Sequence, residues 1–378
     1  MRSVYLPCFL GLLLALPAHG QAAQENAPED TAPKFRVWGD LRLRGELDRD
    51  RRGAPDRERA RVRFRVGAER QLASGLTFGA RLVTAPDPDD PNSTHQNLGT
   101  GFRNFRIALD RAYVRWTPST PWPLALVAGK FEPPFLTAPV FRELVWDADI
   151  QPEGAAVVLE PLSQLRLVGG GYVLLHQGSG KDVNVGVAQA AGRLSRGSAL
   201  QVTAALGVHI YGSADQSAAR RLARDNQGNA LVTDADGDTV AFASKFQVWN
   251  GYAAITYAGS RVPAEAVIEY MVNTSGAAGF DDDGIAVGAR VGRLGEPGRW
   301  RVDYQYQSIG REAIYSPVAQ DDFLDATNFR GHLLGLAFQY LPTANVYIWT
   351  LWSARNEPRE ETFQKRFRLD LNFWWRLR

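Results

Sequence analysis

The stretch RARVRFRVGAERQL, residues 59–72, decides the fold of this chain. Its first eight residues alternate one by one between an arginine and an apolar or small side chain. A period of two places the arginines on one face of a β-strand and Val62, Phe64 and Val66 on the other. A sheet that contains this strand therefore has one strongly basic face and one apolar face.

The same alternation recurs along most of the chain. It is clear in FRVWGDLRLRGEL, residues 35–47, and again near the end in RFRLDLNF, residues 366–373. Residues 197–214 carry no formal charge, but they also alternate, so we predict a strand there and not a membrane helix. The pattern predicts about sixteen strands, with limits 35–47, 58–72, 75–84, 105–117, 123–131, 154–161, 164–176, 183–192, 200–211, 241–258, 262–274, 284–294, 298–307, 330–341, 343–353 and 363–377.

The connections between these strands alternate between short and long. Residues 117–123 and 161–164 are short turns, whereas residues 212–240 and 308–329 are long loops. An outer-membrane β-barrel has this asymmetry between its two ends. A soluble β-sandwich is the alternative, but it would have little use for strand faces that are lined repeatedly by arginine.

The arginine faces decide which side of a barrel points inward. An arginine on the lipid side costs about 2–4 kcal/mol near the bilayer midplane, so the charged faces must line the lumen. We therefore predict an all-β fold, a transmembrane antiparallel β-barrel of about sixteen strands that is wide enough to hold water. Interfacial aromatic girdles are predicted at Trp116, Trp122, Trp349, Trp352, Trp374 and Trp375.

The N-terminus has the composition of a secretory signal. Arg2 precedes an apolar run from Val4 to Leu16, and small residues follow it. We predict a signal peptide over residues 1–22, a short periplasmic linker over residues 23–34 and the barrel over residues 35–378, in the Gram-negative outer membrane. An uncleaved anchor is the alternative, although the apolar run is short for a bilayer span. The single cysteine, Cys8, lies within the predicted signal, so we expect no disulfide in the mature chain.

Arginine dominates the predicted luminal faces, although the whole chain is almost neutral, with 43 Lys and Arg against 41 Asp and Glu. A pore wall of this kind favours anions. The alternative is that the arginines pair with luminal acids such as Asp40 and Glu269 and only brace the barrel. The predicted pore-lining residues are Arg42, Arg44, Arg59, Arg61, Arg63, Arg65, Arg81, Arg111, Arg115, Arg290, Arg299, Arg301, Arg366 and Arg368.

The segment GKFEPPFLTAPVFRELVWDADIQPEGAA, residues 129–156, breaks the alternation with prolines, large apolar residues and carboxylates. It contains the third long connection, and we predict that this loop folds into the bore, stiffened by its prolines. Opposed acids on the loop and arginines on the wall would then select solutes by size and charge. The alternative for Asp147 and Asp149 is that they only cap turns. The predicted constriction residues are Glu132, Arg142, Glu143, Asp147, Asp149 and Glu153.

Four segments carry a family resemblance. In chain order they are DRAYVRW (residues 110–116), GKFEPPF (129–135), ELVWDADIQPEGAAV (143–157) and RGHLLGL (330–336). Together they resemble the putative porin family of Gram-negative outer-membrane β-barrels, and the resemblance extends from about Phe35 onward. It implies a water-filled channel for passive diffusion of small hydrophilic solutes, narrowed by the third loop. Two features depart from the family: residues 21–33 lack coiled-coil heptads, and the chain ends on Arg376-Leu377-Arg378 and not on an aromatic residue.

A cation site is considered in one external loop. TDADGDT, residues 233–239, spaces Asp234, Asp236 and Asp238 as at the start of a calcium loop, but it lacks the downstream bidentate glutamate. A solvated loop tip is the alternative. We predict no other cofactor.

The remaining function classes are weighed against the porin. The histidines outside the signal lie in no recognisable nucleophile motif, so we predict that the chain is not an enzyme. A barrel that exports or takes up an acidic polysaccharide or another specific substrate is the alternative function. The predicted partners are outer-membrane lipids, lipopolysaccharide and small hydrophilic solutes, with a homotrimer as the oligomer considered and no nucleic acid.

Overall fold

The structure is a computed structural model that describes residues 35–72, 75–85, 93–99, 101–142, 144–176, 181–214, 222, 226–259 and 262–377. The predicted signal peptide and linker, residues 1–34, and the predicted constriction residue Glu143 lie outside the described residues. The strands are β1 Phe35–Arg49, β2 Arg57–Gln71, β3 Leu76–Thr84, β4 Gln96–Asn97, β5 Ile107–Trp116, β6 Leu124–Lys130, β7 Glu153–Leu162, β8 Leu165–Leu175, β9 Val183–Arg196, β10 Leu200–Gly212, β11 Leu231–Thr233, β12 Thr239–Phe242, β13 Phe246–Tyr257, β14 Ala264–Asn273, β15 Asp283–Gly292, β16 Trp300–Ile309, β17 Phe329–Leu341, β18 Ala344–Arg355 and β19 Gln364–Leu377.

The strands form one closed antiparallel sheet. Each wall strand pairs with its neighbour in the chain, and β1 pairs with β19 to close the cylinder. The two-residue strand β4 pairs with β2 in line with β3, so β3 and β4 share one position in the wall. Strands β11 and β12 form a separate two-stranded sheet. The wall thus has sixteen strand positions, and the predicted strand number is confirmed.

Burial along the strands is inverted relative to a soluble protein. In β1, Arg44, Glu46 and Asp48 are buried, whereas Leu43 and Leu47, at alternate positions, are exposed. The charged side chains therefore face inward, and the apolar side chains form the outer surface that lipid would cover. Trp116 and Trp122 lie exposed at one end of this surface. No helix in the described part of the chain is both long and apolar enough to cross a bilayer.

The connections differ in length at the two ends of the barrel, as predicted. One end has short turns, such as residues 163–164 and 342–343. The other end carries the loops, which span residues 50–56, 85–106, 131–152, 176–182, 213–245, 274–282, 310–328 and 356–363. We call residues 131–152 the third loop and residues 310–328 the seventh loop.

One predicted strand is longer than the strand in the structure. The predicted strand 241–258 begins only at Phe246, because the preceding residues pair with Leu231–Thr233 in the β11–β12 hairpin. The run TVAF of β12 has the same apolar character as a wall strand, so the pattern alone does not separate the two.

Candidate functional site

The inner wall is most strongly charged where the first and last strands meet. Arg44 on β1 lies opposite Asp370 on β19, and its Nε donates to Asp370 Oδ1 at 2.6 Å. Two residues further along each strand, Arg368 Nε donates to Glu46 Oε2 at 2.5 Å. Arg366 and Asp48 form the next pair, at 2.7 Å. We call these three cross-strand ion pairs the seam ladder.

A second ladder joins β1 to β2. Glu46 also accepts from Arg59, Arg65 Nε donates to Asp40 at 2.7 Å, and Arg63 donates to the same carboxylate at 3.0 Å. Further round the wall, the predicted residues lie in similar pairs: Arg81 with Asp110 at 2.5 Å, Arg111 with Glu132 at 2.7 Å, Arg115 near Glu69 at 3.9 Å, Arg290 with Glu265 at 3.0 Å and Arg301 with Asp303 at 2.9 Å. Most of these arginines are therefore ion-paired on the wall, which is the alternative considered from the sequence.

The positive charges of two wall arginines are less fully neutralised by carboxylates. Arg42 Nε donates to the amide oxygen of Asn372 at 2.7 Å, and Arg61 donates to Ser93 Oγ at 2.8 Å. Among the described residues, the carboxylate that pairs with Arg61 is Glu46 at 4.0 Å, and Glu46 is already bonded to Arg59 and Arg368. In the described part of the chain, Arg42 and Arg61 therefore supply positive charge to the bore that is only weakly neutralised.

Arg299 is the exception among the predicted wall residues. The structure places it in the turn before β16, where its side chain pairs with Glu296 at 3.0 Å and is well exposed. The strand begins two residues later than predicted, because Gly298 has a positive φ of 84° and the backbone NH of Arg299 donates to the backbone carbonyl of Glu296. Arg299 therefore lies at the rim.

The third loop lies against the inner wall. The backbone NH and carbonyl of Leu136 both bond to the side-chain amide of Gln189 on β9, at 2.8 and 2.9 Å. The ring of Phe135 packs edge-on against His209 on β10, with centroids 5.2 Å apart. Val140 lies against Gly288 on β15, where a Cβ would come within 2.9 Å of its side chain. These contacts hold the loop within the barrel on the side of β9, β10 and β15.

On that side of the lumen, aromatic side chains pack together. Phe242, Phe246 and Tyr315 pack together with centroids 5.0–6.1 Å apart, and Tyr211 of β10 joins them. The seventh loop also supports the third loop, since Asp147 NH donates to Val318 O at 2.7 Å. The lumen is therefore divided: one half is packed with loops, and the other half is lined by charge.

The charged half contains a cavity of about 1010 Å³. Among the described residues that line it, arginines are nearly twice as numerous as carboxylates. The arginines come mainly from β1, β2 and β19, whereas acids of the third and seventh loops, including Asp149 and Asp322, lie in the same cavity. A positive wall thus faces a loop side that carries carboxylates.

Asp147 and Asp149 have different surroundings although they are two residues apart. Asp147 Oδ1 accepts from the backbone NH of Asp149 at 2.7 Å, the turn-capping role weighed from the sequence. Burial and the nearby carboxylates of Asp149 and Asp321 raise the pKa of Asp147 well above its usual range. Burial also acts to raise the pKa of Asp149, but Arg63 and Arg65 outweigh it and hold that pKa below its usual range. Asp149 is therefore the carboxylate that stays ionised opposite the arginine wall.

The other described residues of the predicted constriction do not all lie in the bore. Glu132 pairs with Arg111 in the bore, and Arg142 is an exposed loop residue with a positive φ of 57° that lines the same cavity. Glu153 differs from the prediction: it is the first residue of β7, pairs with Lys130 at 2.7 Å and is exposed. It shares the outward face of β7 with Val157, since the two are separated by an even number of residues. Glu153 thus lies at the outer rim and outside the constriction.

One luminal residue was missed by sequence reasoning. Trp349 was predicted in an interfacial girdle, but it is only 4% exposed and lies between the guanidinium groups of Arg44 and Arg368, 5.8 and 4.6 Å from its ring centroid. Its indole NH also lies 3.3 Å from Asp370. The alternation of side chains along the strand could have predicted this position, because Tyr347 and Trp349 are two residues apart and share a face, and both line the cavity.

The acidic loop considered for calcium forms a tight turn. Asp234 Oδ1 accepts from the backbone NH groups of Asp236 and Asp238, at 3.2 and 2.9 Å. Within the described residues, no group of three or more His, Cys, Asp or Glu side chains is placed to hold a metal ion.

The closed wall, the inward third loop and the charged bore define a porin-like outer-membrane barrel. Residues 50–169 match the family model described as "Putative porin", so the resemblance stated from the sequence is confirmed over that part of the chain. No curated protein sequence matches the chain.

Solved structures show the same fold. A loop-deletion mutant of OmpT, an outer membrane protein of Vibrio cholerae, is 12% identical with a TM-score of 0.52, and the alignment covers 90% of this chain and 99% of that chain. The in-vitro folded trimer form of OmpT is 11% identical with a TM-score of 0.51, at 90% and 99% coverage. A mutant of Rh. blastica porin is 13% identical with a TM-score of 0.50, at 90% and 100% coverage. At such low identity, these similarities establish the fold alone.

Proposed function

We propose that this chain forms a water-filled channel in the outer membrane of a Gram-negative bacterium, through which small hydrophilic solutes diffuse passively and anions pass in preference to cations. One observation carries the proposal: the cavity of about 1010 Å³ in the charged half of the lumen is lined by nearly twice as many arginines as carboxylates. Fixed charges that line a narrow aqueous path raise the local concentration of the opposite ion.

The pairing on the wall sets how strong the preference is. Asp370 neutralises Arg44, whereas Glu46 and Asp40 are each shared by two arginines, so each of those two groups keeps a net positive charge. Arg42 and Arg61 add further positive charge, since their hydrogen bonds go to neutral groups. A moderate anion preference follows from this arrangement.

The third loop favours a channel for small solutes over the export of a polymer. Its backbone is bonded to Gln189, and its side chains pack on the wall, so it occupies part of the bore. An acidic polysaccharide chain would need that part of the lumen to be open along its whole length. The carboxylates of Asp149 and Glu132, which line the same cavity, would also repel an acidic polymer locally.

The partners follow from the outer surface and the neighbours. The exposed apolar faces of the strands fit outer-membrane lipid, with lipopolysaccharide at the loop end. We propose a homotrimer, supported by the trimer form named for OmpT. We also propose that residues 1–22 are removed after secretion. Chemical cross-linking of the detergent-extracted protein tests the trimer, and mass spectrometry of its N-terminus tests the cleavage.

The test of the channel is a measurement of reversal potential. The refolded mature protein is inserted into planar bilayers that separate two KCl concentrations. Discrete conductance steps with a reversal potential of the sign for chloride support the proposal. Cation selectivity would contradict the preference while retaining the channel, and absence of conductance in a correctly folded barrel would contradict the channel itself.

A further inference from the structure

A second cavity lies under the third loop, in the packed half of the lumen. Its volume is about 530 Å³, and its apolar walls include Phe131, Phe135 and Trp146 of the third loop. It adjoins the arginine-lined cavity along the loop, because Glu132 and Arg142 line both. Neither the channel activity nor the ion preference proposed above requires this second cavity.

The barrel wall contributes a compact polar group to it. Tyr252 on β13 lies directly opposite Glu269 on β14, and Asn250, two residues from Tyr252 on the same inward face, donates to Glu269 Oε1 at 3.0 Å. His209 on β10 is paired with Val248, so it is diagonal to Asn250. Diagonal neighbours on one face of a sheet lie within about 7–8 Å. The register therefore places Asn250, Tyr252 and Glu269 next to one another, whereas His209 lines the same cavity further along the wall, beyond Asn250.

Several atoms of this group are buried without a partner. Glu269 Oε2, the hydroxyl of Tyr252 and both ring nitrogens of His209 make no hydrogen bond in the described part of the chain. The three residues are only 3–5% exposed. Leaving a buried polar atom unpaired costs more than an average hydrogen bond contributes, and a buried carboxylate costs most.

Glu269 also differs from the other acids of the wall. Glu265, four residues earlier on the same strand and the same face, pairs with Arg290 at 3.0 Å. Within the described residues, Glu269 has no ion pair, and its one hydrogen bond comes from a neutral amide. Arg166, which lines the same cavity, is bonded to Glu160 and to the carbonyl of Pro134. The wall thus presents a carboxylate whose countercharge is not supplied by a neighbouring side chain.

We propose that this cavity binds a primary organic amine, with its ammonium group on Glu269 and Tyr252 and its apolar body against the third loop. An ammonium group has three N–H donors, and these two side chains offer a carboxylate oxygen and a phenol oxygen as acceptors. Phe131, Phe135 and Trp146 of the third loop line the same cavity and give it apolar surface for the body of the amine. A cavity that combines apolar side chains with a few convergent polar groups has the usual form of a site for a small ligand.

The test uses 2-phenylethylamine as the probe and 2-phenylethanol as a neutral probe of the same shape. Binding to the refolded full-length mature barrel is followed by intrinsic tryptophan fluorescence, since Trp146 lines the cavity, with empty micelles as the blank. This readout does not need conduction, so failure of the channel proposal and failure of this one are distinguishable.

Three variants assign the site. Glu269→Gln removes the charge and should weaken amine binding by roughly 10- to 100-fold. Tyr252→Phe removes one acceptor and keeps the ring, so it should weaken binding several-fold with little risk to folding. Glu265→Gln is the matched control, because it removes a carboxylate of the same strand face that already has a partner, and it should leave binding unchanged.

The expected result is tighter binding of the amine than of the alcohol in the unmodified protein, with the preference lost in Glu269→Gln. Equal binding of the two probes would overturn the ammonium site and indicate a cavity that accepts any ring of that size. No binding of either probe would overturn the proposal as a whole. If Glu269→Gln fails to fold, unchanged amine affinity in Tyr252→Phe would count against the site, and a several-fold loss would support it.

Discussion

Arg44 of the first strand and Asp370 of the last strand form a two-point ion pair across the closure of the barrel. Nε donates to Oδ1 at 2.6 Å and Nη2 donates to Oδ2 at 2.9 Å. The two residues are 326 positions apart in the chain and directly opposite in register. The ring of Trp349 packs beside the same guanidinium. Charged side chains that line the bore therefore also help to close the sheet.

The seam ladder should contribute to barrel stability. Asp370→Asn should lower the free energy of unfolding by ~1–3 kcal/mol, less than the ~3–5 kcal/mol expected for a broken pair in a dry interior, because water reaches the lumen. The measurement is the urea midpoint at which the folded barrel loses its heat-modifiable gel mobility.

The control for the seam is an ion pair of similar composition outside it. Glu296→Gln breaks the exposed turn pair with Arg299, and it should shift the midpoint very little. Equal midpoints for Asp370→Asn and the unmodified protein would show that the pair does not stabilise the closure.

Anion preference should depend on Arg42 and Arg61, whose hydrogen bonds go to neutral groups. Replacing both by glutamine removes two positive charges from the bore. The ratio of chloride to potassium permeability should fall by roughly two-fold or more, because the local field in the bore weakens. The reversal potential in a KCl gradient measures the change.

The matched control keeps the charge and changes the shape. Lysine at both positions should retain most of the preference, since each ammonium group carries the same charge. If the lysine and glutamine variants lose selectivity equally, the geometry of the guanidinium groups, and not their charge, sets the preference.

The position of the third loop should depend on Gly288. A Cβ at this position would approach Val140 to 2.9 Å and Phe141 to 3.1 Å, so Gly288→Val should push the loop off the wall and into the bore. Overpacking of this kind costs about 1–3 kcal/mol, and single-channel conductance should fall because the open path narrows. Gly186→Ala is the control, since nothing lies within 4 Å of the added Cβ. Unchanged conductance in a folded Gly288→Val barrel would show that the loop does not limit the path.

Selectivity should vary with pH through Asp147. Its pKa is raised by burial and by neighbouring carboxylates, so on acidification it takes up a proton before an ordinary aspartate, at pH values above about 4. Loss of this negative charge should increase anion preference as the pH falls through that range. Reversal potentials measured from pH 8 to pH 4 would show the step, and Asp147→Asn should remove it.

Asp149 supplies the comparison for the pH experiment. Its pKa is held below the usual range by Arg63 and Arg65, so it remains ionised over the same interval. Asp149→Asn should therefore change the preference at every pH and leave the step in place. A step that persists in Asp147→Asn would assign the titration to another group.

The amino-acid sequence by itself determined the wall of this protein. Two-residue alternation is a local property, so RARVRFRV was enough to predict a strand and the side of it that faces water. The lengths of the connections were equally local, and together they were enough to predict a closed barrel with loops at one end. The inward third loop followed from its broken period and its resemblance to a known family.

The tertiary structure decided which charges remain uncompensated and where they lie. Arg44 is paired because closure brings Asp370 opposite it, whereas Arg42 on the same strand lies opposite Asn372. Trp349 lies inside because the alternation of side chains along β18 places it there. Among the described residues Glu269 has no ion pair, because its neighbours across the sheet are Tyr252 and Ala286. Cross-strand register and the seating of the third loop join residues that are far apart in the chain. No local pattern carries that information, so the chemistry of the lumen is a property of the closed barrel.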